Sequence, residues 1–200
     1  GLIGKFRKVD EETPPRDTIR LRLVNKSAMW DLTGPQTCAL IVQEDLETVI
    51  SNLGPDPLRI GLRGLGKFKR GLANSKKPIG AALLDQSLLA GIGNVYRAEL
   101  LFLCGIHPET PCNRINEEDA EALWDWTVKL LRRGKRLNRI VTIQEEDKEN
   151  ISSKSKKRNN SLYAYKRAGL DCRRCPSEIV ISKLAGRSIW HCPNCQGKND

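Results

Sequence analysis

No run of about twenty apolar residues occurs anywhere in the chain, so no transmembrane helix is expected. The opening Gly1-Leu-Ile-Gly-Lys-Phe-Arg-Lys8 is too polar and too short for a signal peptide. No segment repeats itself. Methionine occurs once, at Met29, and not at the start. The chain begins inside a strand-like run without a cap, which leads to the expectation that residues upstream are missing or that this is a fragment. Acid is outnumbered by base: 24 Asp and Glu stand against 34 Lys and Arg, a net charge of +10. Such an excess argues against an acidic or neutral surface and favours a polyanionic partner. The plain alternative is a solvated basic face. Base concentrates at Arg63–Lys77 and Lys154–Arg174, acid at Glu117–Glu121 and Glu145–Glu149. Two hundred residues, 39% of them hydrophobic, suffice for one or two domains with a real core.

What the chain does have is seven cysteines, four of them in two Cys-x-x-Cys pairs, Cys172/Cys175 and Cys192/Cys195. Each pair can turn two thiolates onto one ion, and two such turns complete a tetrahedron with no open position. That describes a structural zinc site. The other reading of the same spacing is a pair of disulfides in a small secreted domain. The remaining Cys38, Cys104 and Cys112 read as reduced thiols of a cytosolic protein, which favours zinc. Between the pairs, the stretch from Glu178 to Trp190 reads as two short β segments with a turn at Leu184–Gly186, a β-hairpin braced by metal.

Upstream, the first fifty-odd residues read mostly as β. Thr18–Val24 alternates apolar and polar residues, Ala28–Leu32 is a second candidate strand, and Cys38–Val42 a third. Glu44–Asn52 has helical spacing. Gly54-Pro-Asp-Pro57 breaks the chain. Helices are expected over Leu62–Leu72, Pro78–Leu89 and Val95–Cys104. Another is expected over Glu117–Arg133, with Asn116 as its N-cap and Gly134 as its stop. From Gln144 to Ser161 the chain is polar without pattern and reads as a mobile linker. The fold class that follows is α+β. Residues 1–57 form part of an N-terminal β domain, 58–143 a helical domain, 144–161 the linker and 162–200 the zinc finger.

The turn Ala90-Gly-Ile-Gly-Asn94 lies between two helices. Two glycines allow positive-φ turns and close approach of a ligand to the backbone, here at Gly93. The N–H groups that open the next helix make an anion site, and Asn94 adds a side-chain donor. The alternative is a tight helix connection and nothing more.

At this point the sequence resembles a known family. Leu83-Leu-Asp-Gln-Ser-Leu-Leu-Ala-Gly-Ile-Gly-Asn-Val-Tyr-Arg-Ala-Glu-Leu-Leu-Phe102, followed by Gly105-Ile-His-Pro108, resembles the helix–two-turn–helix motif of the formamidopyrimidine-DNA glycosylase and endonuclease VIII family. Tyr165-Lys-Arg-Ala-Gly169, the four cysteines, Gly186-Arg187 and Cys192-Pro-Asn-Cys-Gln196 resemble that family's C-terminal zinc finger. Pro78–Gln86 is most similar to endonuclease VIII-like members from actinobacteria.

The resemblance implies an N-terminal β-sandwich domain, a structural Zn2+ and a monomer that binds damaged or abasic double-stranded DNA, cytoplasmic in a bacterium and acting at the nucleoid, with no membrane role. Asn94 and Arg187 would hold backbone phosphates around an extruded nucleotide. A guanidinium suits this because its fork donates to two oxygens at once. Many family members carry a lysine just before the Leu-Leu-Asp-Gln run. Gly80 stands there, and Lys76 or Lys77 is the nearest substitute. Leu2, with Ile3 beside it, is a candidate for the side chain that fills the void left by the extruded base; the alternative is an ordinary apolar strand residue. A second wedge loop, near Asp31–Gly34, is shortened and lacks the matching Arg and Phe. The family's nucleophile is an N-terminal proline amine followed by glutamate, with a lysine further on. Gly1 is not that proline and neither Glu11 nor Glu12 is that glutamate, so no catalytic residue is assigned in this chain. Three readings follow: a bifunctional DNA glycosylase and AP lyase of base excision repair, a non-catalytic binder of damaged DNA on the same scaffold, and an RNA- or ribosome-associated protein. Gly186-Arg187 on the hairpin argues against the last.

Overall fold

The computed structural model describes residues 4–10, 13–35, 37–60, 62–147 and 161–197. Leu2, Ile3, Glu11, Glu12 and residues 148–160 of the expected linker lie outside them. The chain divides into two compact units, residues 1–50 and 51–200.

The first unit is a three-stranded antiparallel sheet with β3 (Ala28–Thr33) in the middle, flanked by β1 (Lys5–Val9) and β2 (Ile19–Asn25). Two of the three expected strands, Thr18–Val24 and Ala28–Leu32, are present. A tight turn joins them, where the Asn25 carboxamide accepts from the Ser27 and Ala28 N–H groups at 2.9 and 2.7 Å. β1 was not anticipated, because Lys5-Phe-Arg-Lys-Val9 does not alternate cleanly; β3 recruits it through its ladder. Cys38–Val42 is not a strand. The Val42 carbonyl instead accepts from Leu46 and leads into α1 (Gln43–Ser51). Arg22 on β2 grips Asp31 on β3 through both carboxylate oxygens, at 2.7 and 2.8 Å.

The second unit contains α2 (Leu62–Ala73), α3 (Ile79–Ala82), α4 (Asn94–Leu103), α5 (Glu117–Leu137) and a hairpin of β4 (Val180–Leu184) and β5 (Arg187–His191). One apolar cluster runs through all of it, from Phe68, Leu83 and Trp124 to Ile179, Ile189 and Trp190. The helices and the hairpin therefore share a core. The expected Pro78–Leu89 helix is a single turn, α3. Asp85 stops it by accepting from the Ser87 N–H and hydroxyl at 3.0 and 2.6 Å, a local turn that competes with the helix. Asn116 caps α5 as expected, accepting from the Asp119 N–H at 2.7 Å. Gly134, however, is no stop. The helix continues to Leu137 and ends at Asn138, which takes the left-handed conformation (φ 48°). Gly134 is glycine for another reason: a Cβ there would lie 2.1 Å from the Tyr96 hydroxyl of α4.

The packed structure also runs further than the linker expectation allowed. Gln144–Asp147 is not loose: Gln144 and Asp147 are buried. The Gln144 N–H donates to the Tyr163 hydroxyl at 2.9 Å, and Asp147 accepts from that hydroxyl and from Arg174. Polar composition hid this, because these groups are buried by pairing with one another rather than by an apolar face.

Candidate nucleic-acid interface and metal site

The hairpin turn is built by Ala185 and Gly186, both at positive φ (50° and 73°). Two successive positive values are what a two-residue turn of right-handed twist requires, and glycine at the second position relieves half the strain. The turn delivers Arg187, exposed, as the first residue of β5. On the facing side, the connection into α4 is shaped from within by Gln86. Its amide oxygen accepts from the Gly91 N–H at 3.0 Å, and its nitrogen donates to the Ile92 carbonyl at 2.9 Å. Gly91 takes φ 91° and uses glycine's freedom. Gly93 does not: its φ is −114°, extended backbone open to any residue. What marks Gly93 is space, since a Cβ there would meet nothing within 4 Å.

These two features meet. The Asn94 side-chain nitrogen donates to the Ser188 carbonyl at 3.2 Å, one residue from Arg187. Arg97, one turn further along α4, is wholly buried and donates to the Gly80 carbonyl at 3.0 Å, the Ser188 carbonyl at 2.9 Å and the Asn94 side-chain oxygen. Burial, and secondarily the charge of Arg187, push the Arg97 guanidinium down to about 10. Asn94, Arg97 and the hairpin tip thus form one connected group across more than ninety residues of sequence. Gly80, where a lysine was sought, cannot hold a side chain. A Cβ would stand 2.8 Å from Leu184 and 2.9 Å from the Pro108 carbonyl oxygen, so glycine here lets α3 touch the hairpin. Lys77 is exposed and lies 3.5 Å from Asp85 rather than on Asn94 or Arg187.

The four knuckle cysteines converge, with every sulfur within 4.8 Å of the others. Cys172 and Cys195 are 3.8 Å apart, and Cys175 and Cys192 are 3.4 Å apart. A disulfide would need about 2.05 Å, so the disulfide reading fails. Sulfurs around a tetrahedral zinc, each about 2.3 Å from the ion, would be separated by roughly 3.8 Å, and the cluster fits that spacing. The Arg174 and Cys195 N–H groups point at the Cys172 and Cys192 sulfurs, 3.4 Å away, an arrangement suited to thiolates. The four residues can hold a metal ion.

Two buried polar side chains tie this metal site to the helices, and neither was anticipated. Glu99 of α4 accepts from the N–H groups of Tyr163, Ala164 and Tyr165 at 2.7–2.8 Å and from the Thr142 hydroxyl. Gln196 accepts from Cys192 N–H and donates to the Ile106 carbonyl, both at 2.9 Å. Arg167 and Arg173, also buried, hold the carbonyls of Tyr163, Asp171 and Leu162. The one available signal was charge in apolar surroundings: Arg97 and Glu99 interrupt the run Val95–Leu103.

A paired-helix scaffold with a glycine turn, docked on a four-cysteine hairpin, defines a class of helix–two-turn–helix proteins with a zinc-finger-like tail. The formamidopyrimidine-DNA glycosylase H2TH domain matches residues 53–145. Endonuclease 8 1 of Mycobacterium tuberculosis is 38% identical over 201 residues, covering 98% of this chain and 74% of the relative. Formamidopyrimidine-DNA glycosylase of Parasynechococcus marenigrum is 31% identical over 98% of this chain and 72% of its own length. Among solved structures, Lactococcus lactis formamidopyrimidine-DNA glycosylase bound non-covalently to abasic-site DNA matches with a TM-score of 0.76 at 29% identity, over 98% of this chain and 71% of that one. The chain belongs to the formamidopyrimidine-DNA glycosylase and endonuclease VIII family of base-excision-repair DNA glycosylases, and the mycobacterial match fits its endonuclease VIII-like branch.

Proposed function

We propose that this chain carries the DNA-gripping part of a bifunctional DNA glycosylase and AP lyase that removes oxidised bases from duplex DNA. The observation that carries the reading is the junction of Asn94 with the hairpin tip. The Asn94 amide at the start of α4 is hydrogen-bonded to the residue that follows the exposed Arg187, which brings an amide donor and a cationic residue to one helix N-terminus. Each of these binds phosphate. Gly93 leaves open space above the turn where a phosphate can reach the backbone N–H groups. Relatives solved with abasic-site and damaged-base DNA support the same substrate class. Zn2+ is the ion proposed for Cys172, Cys175, Cys192 and Cys195, where it holds the hairpin and does no chemistry. Lys77 is a peripheral contact to the backbone, freed from Asp85 by a competing phosphate. The void-filling role proposed for Leu2 rests on sequence similarity alone.

No nucleophile is assigned among these 200 residues. The test is direct. The chain should bind a duplex carrying an abasic-site analogue more tightly than the undamaged duplex, and borohydride should trap no covalent adduct with it on abasic DNA. Equal affinity for the two duplexes would refute the grip. An adduct would refute the assignment of chemistry to residues other than these.

A further inference from the structure

Arg97 is a wholly buried cation, and among the described residues no carboxylate lies against it. Its guanidinium contacts three neutral oxygens, those of Gly80, Ser188 and Asn94, and its Nε has no acceptor. Buried charges are ordinarily paired, because an uncompensated one costs the unliganded protein several kcal/mol. Here the charge acting on Arg97 is another cation, Arg187. Arg167 and Arg173 are also buried on carbonyls, but the Glu99 charge acts on both, whereas no opposite charge acts on Arg97, and linking carbonyls requires N–H donors rather than a positive charge. An anion bound beside Asn94 and Arg187 would supply the absent counter-charge.

We infer that Arg97 is a positioning residue for phosphate. It locks the Asn94 carboxamide and the Ser188 carbonyl into one rigid grip, and its uncompensated charge draws a DNA phosphate to the edge that Asn94 and Arg187 form. This rests on the reading of Asn94 and Arg187 as phosphate ligands. The carboxamide is set by two contacts. Its oxygen faces Arg97 and one of its N–H groups faces Ser188, which leaves the second N–H for a ligand. Without Arg97, the amide could rotate and offer its oxygen, an acceptor that repels phosphate. Lysine cannot substitute, because an ammonium is a point charge and does not present a planar fork to three acceptors at once.

The experiment measures binding of the 200-residue chain to a duplex with a tetrahydrofuran abasic-site analogue, by fluorescence anisotropy across a salt series, with unfolding midpoints alongside. Arg97→Met should weaken binding at least tenfold and flatten the salt dependence. Combining it with Asn94→Ala should cost less than the sum of the two separate losses, because Arg97 acts in part through Asn94. Arg97→Lys should lose several-fold in affinity while keeping the wild-type salt slope. A purely structural role would lower the unfolding midpoint and leave the slope of both variants unchanged. Binding by Arg97→Met within twofold of wild type, or losses that add to those of Asn94→Ala, would overturn the inference. Should Arg97→Met fail to fold, wild-type affinity in Arg97→Lys overturns it equally. If Asn94→Ala and Arg187→Ala also bind like wild type, the phosphate site itself is refuted; if they weaken binding and the Arg97 variants do not, only the role of Arg97 falls.

Discussion

In the unit formed by residues 1–50, Met29 and Leu32 are the buried apolar side chains among the described residues, while Phe6, Leu23, Val24 and Trp30 are exposed. In the unit formed by residues 51–200, Phe68, Leu83, Phe102, Trp124 and Tyr163 are wholly or almost wholly enclosed. The first unit is held by backbone ladders and by the Arg22–Asp31 pair. The second is held by a continuous core with buried polar ties. The contrast teaches where stability and site geometry are coupled. In the second unit the metal knuckles, the glycine turn and the helices answer to one core, so a disturbance at any of them should reach the others. In the first unit there is little enclosed volume through which a disturbance could travel.

Removing the metal is the largest expected perturbation and the strongest way to break this contrast. Chelation, or Cys172→Ser, should abolish hydrogen-exchange protection of the hairpin, whose folding free energy the proposed ion would supply. Protection in α4 should fall with it, whereas β1–β3 should exchange as before. Unchanged protection in α4 would mean that the shared core does not transmit the loss.

Glu99→Ala comes next. It leaves the N–H groups of Tyr163, Ala164 and Tyr165 buried without their acceptor, and should cost about 3 kcal/mol of stability. Calorimetry should show the second unit's transition moving down in temperature. No movement would show that the 163–165 segment is held by packing alone.

Arg187→Ala should leave stability alone and weaken binding to abasic-analogue DNA by about 1–3 kcal/mol, with a shallower salt dependence. Wild-type affinity and slope would remove Arg187 from the interface. Gly93→Ala sharpens the same point from the other side. The protein has room for the methyl group, so stability should change by less than about 1 kcal/mol. DNA affinity should nevertheless fall, because the methyl occupies space proposed for phosphate. Unchanged affinity would mean that the backbone there is not approached.

The smallest effect belongs to the first unit. Hydrogen bonding from Arg22 holds the Asp31 carboxyl below its ordinary value of 3.8. The stabilisation is therefore complete above that value and is lost as pH falls through the lower folded one. The β1–β3 sheet should lose stability in that acid window, and Asp31→Asn should remove the pH dependence. An acid profile identical in the variant would assign it to other groups.

Much of this could be read residue by residue. The strands Ile19–Asn25 and Ala28–Thr33 follow from their local pattern and the Asn25 turn. The N-cap at Asn116 follows from its spacing to the acidic first turn of α5. Three readings went astray for physical reasons. Cys38–Val42 has strand composition, but the described residues of that stretch join no ladder. Pro78–Leu89 has helical spacing, but the Asp85 side chain captures Ser87 and ends the turn. Gly134 has the composition of a helix stop, but its lack of a side chain serves Tyr96 in another helix.

The order and spacing of residues, taken alone, determined the two cysteine pairs that converge, the turn that presents Arg187 and the glycine connection before Asn94. Ligand spacing, turn chemistry and helix starts act over a handful of neighbouring residues. Only the tertiary structure decided that Asn94 would lie against Ser188, that Arg97 would be buried without a counter-ion, and that Glu99 would anchor the chain entering the metal site. Those contacts join residues 64 to 94 positions apart. They exist because a shared apolar core brings α4 and the hairpin together, and no local pattern encodes that approach.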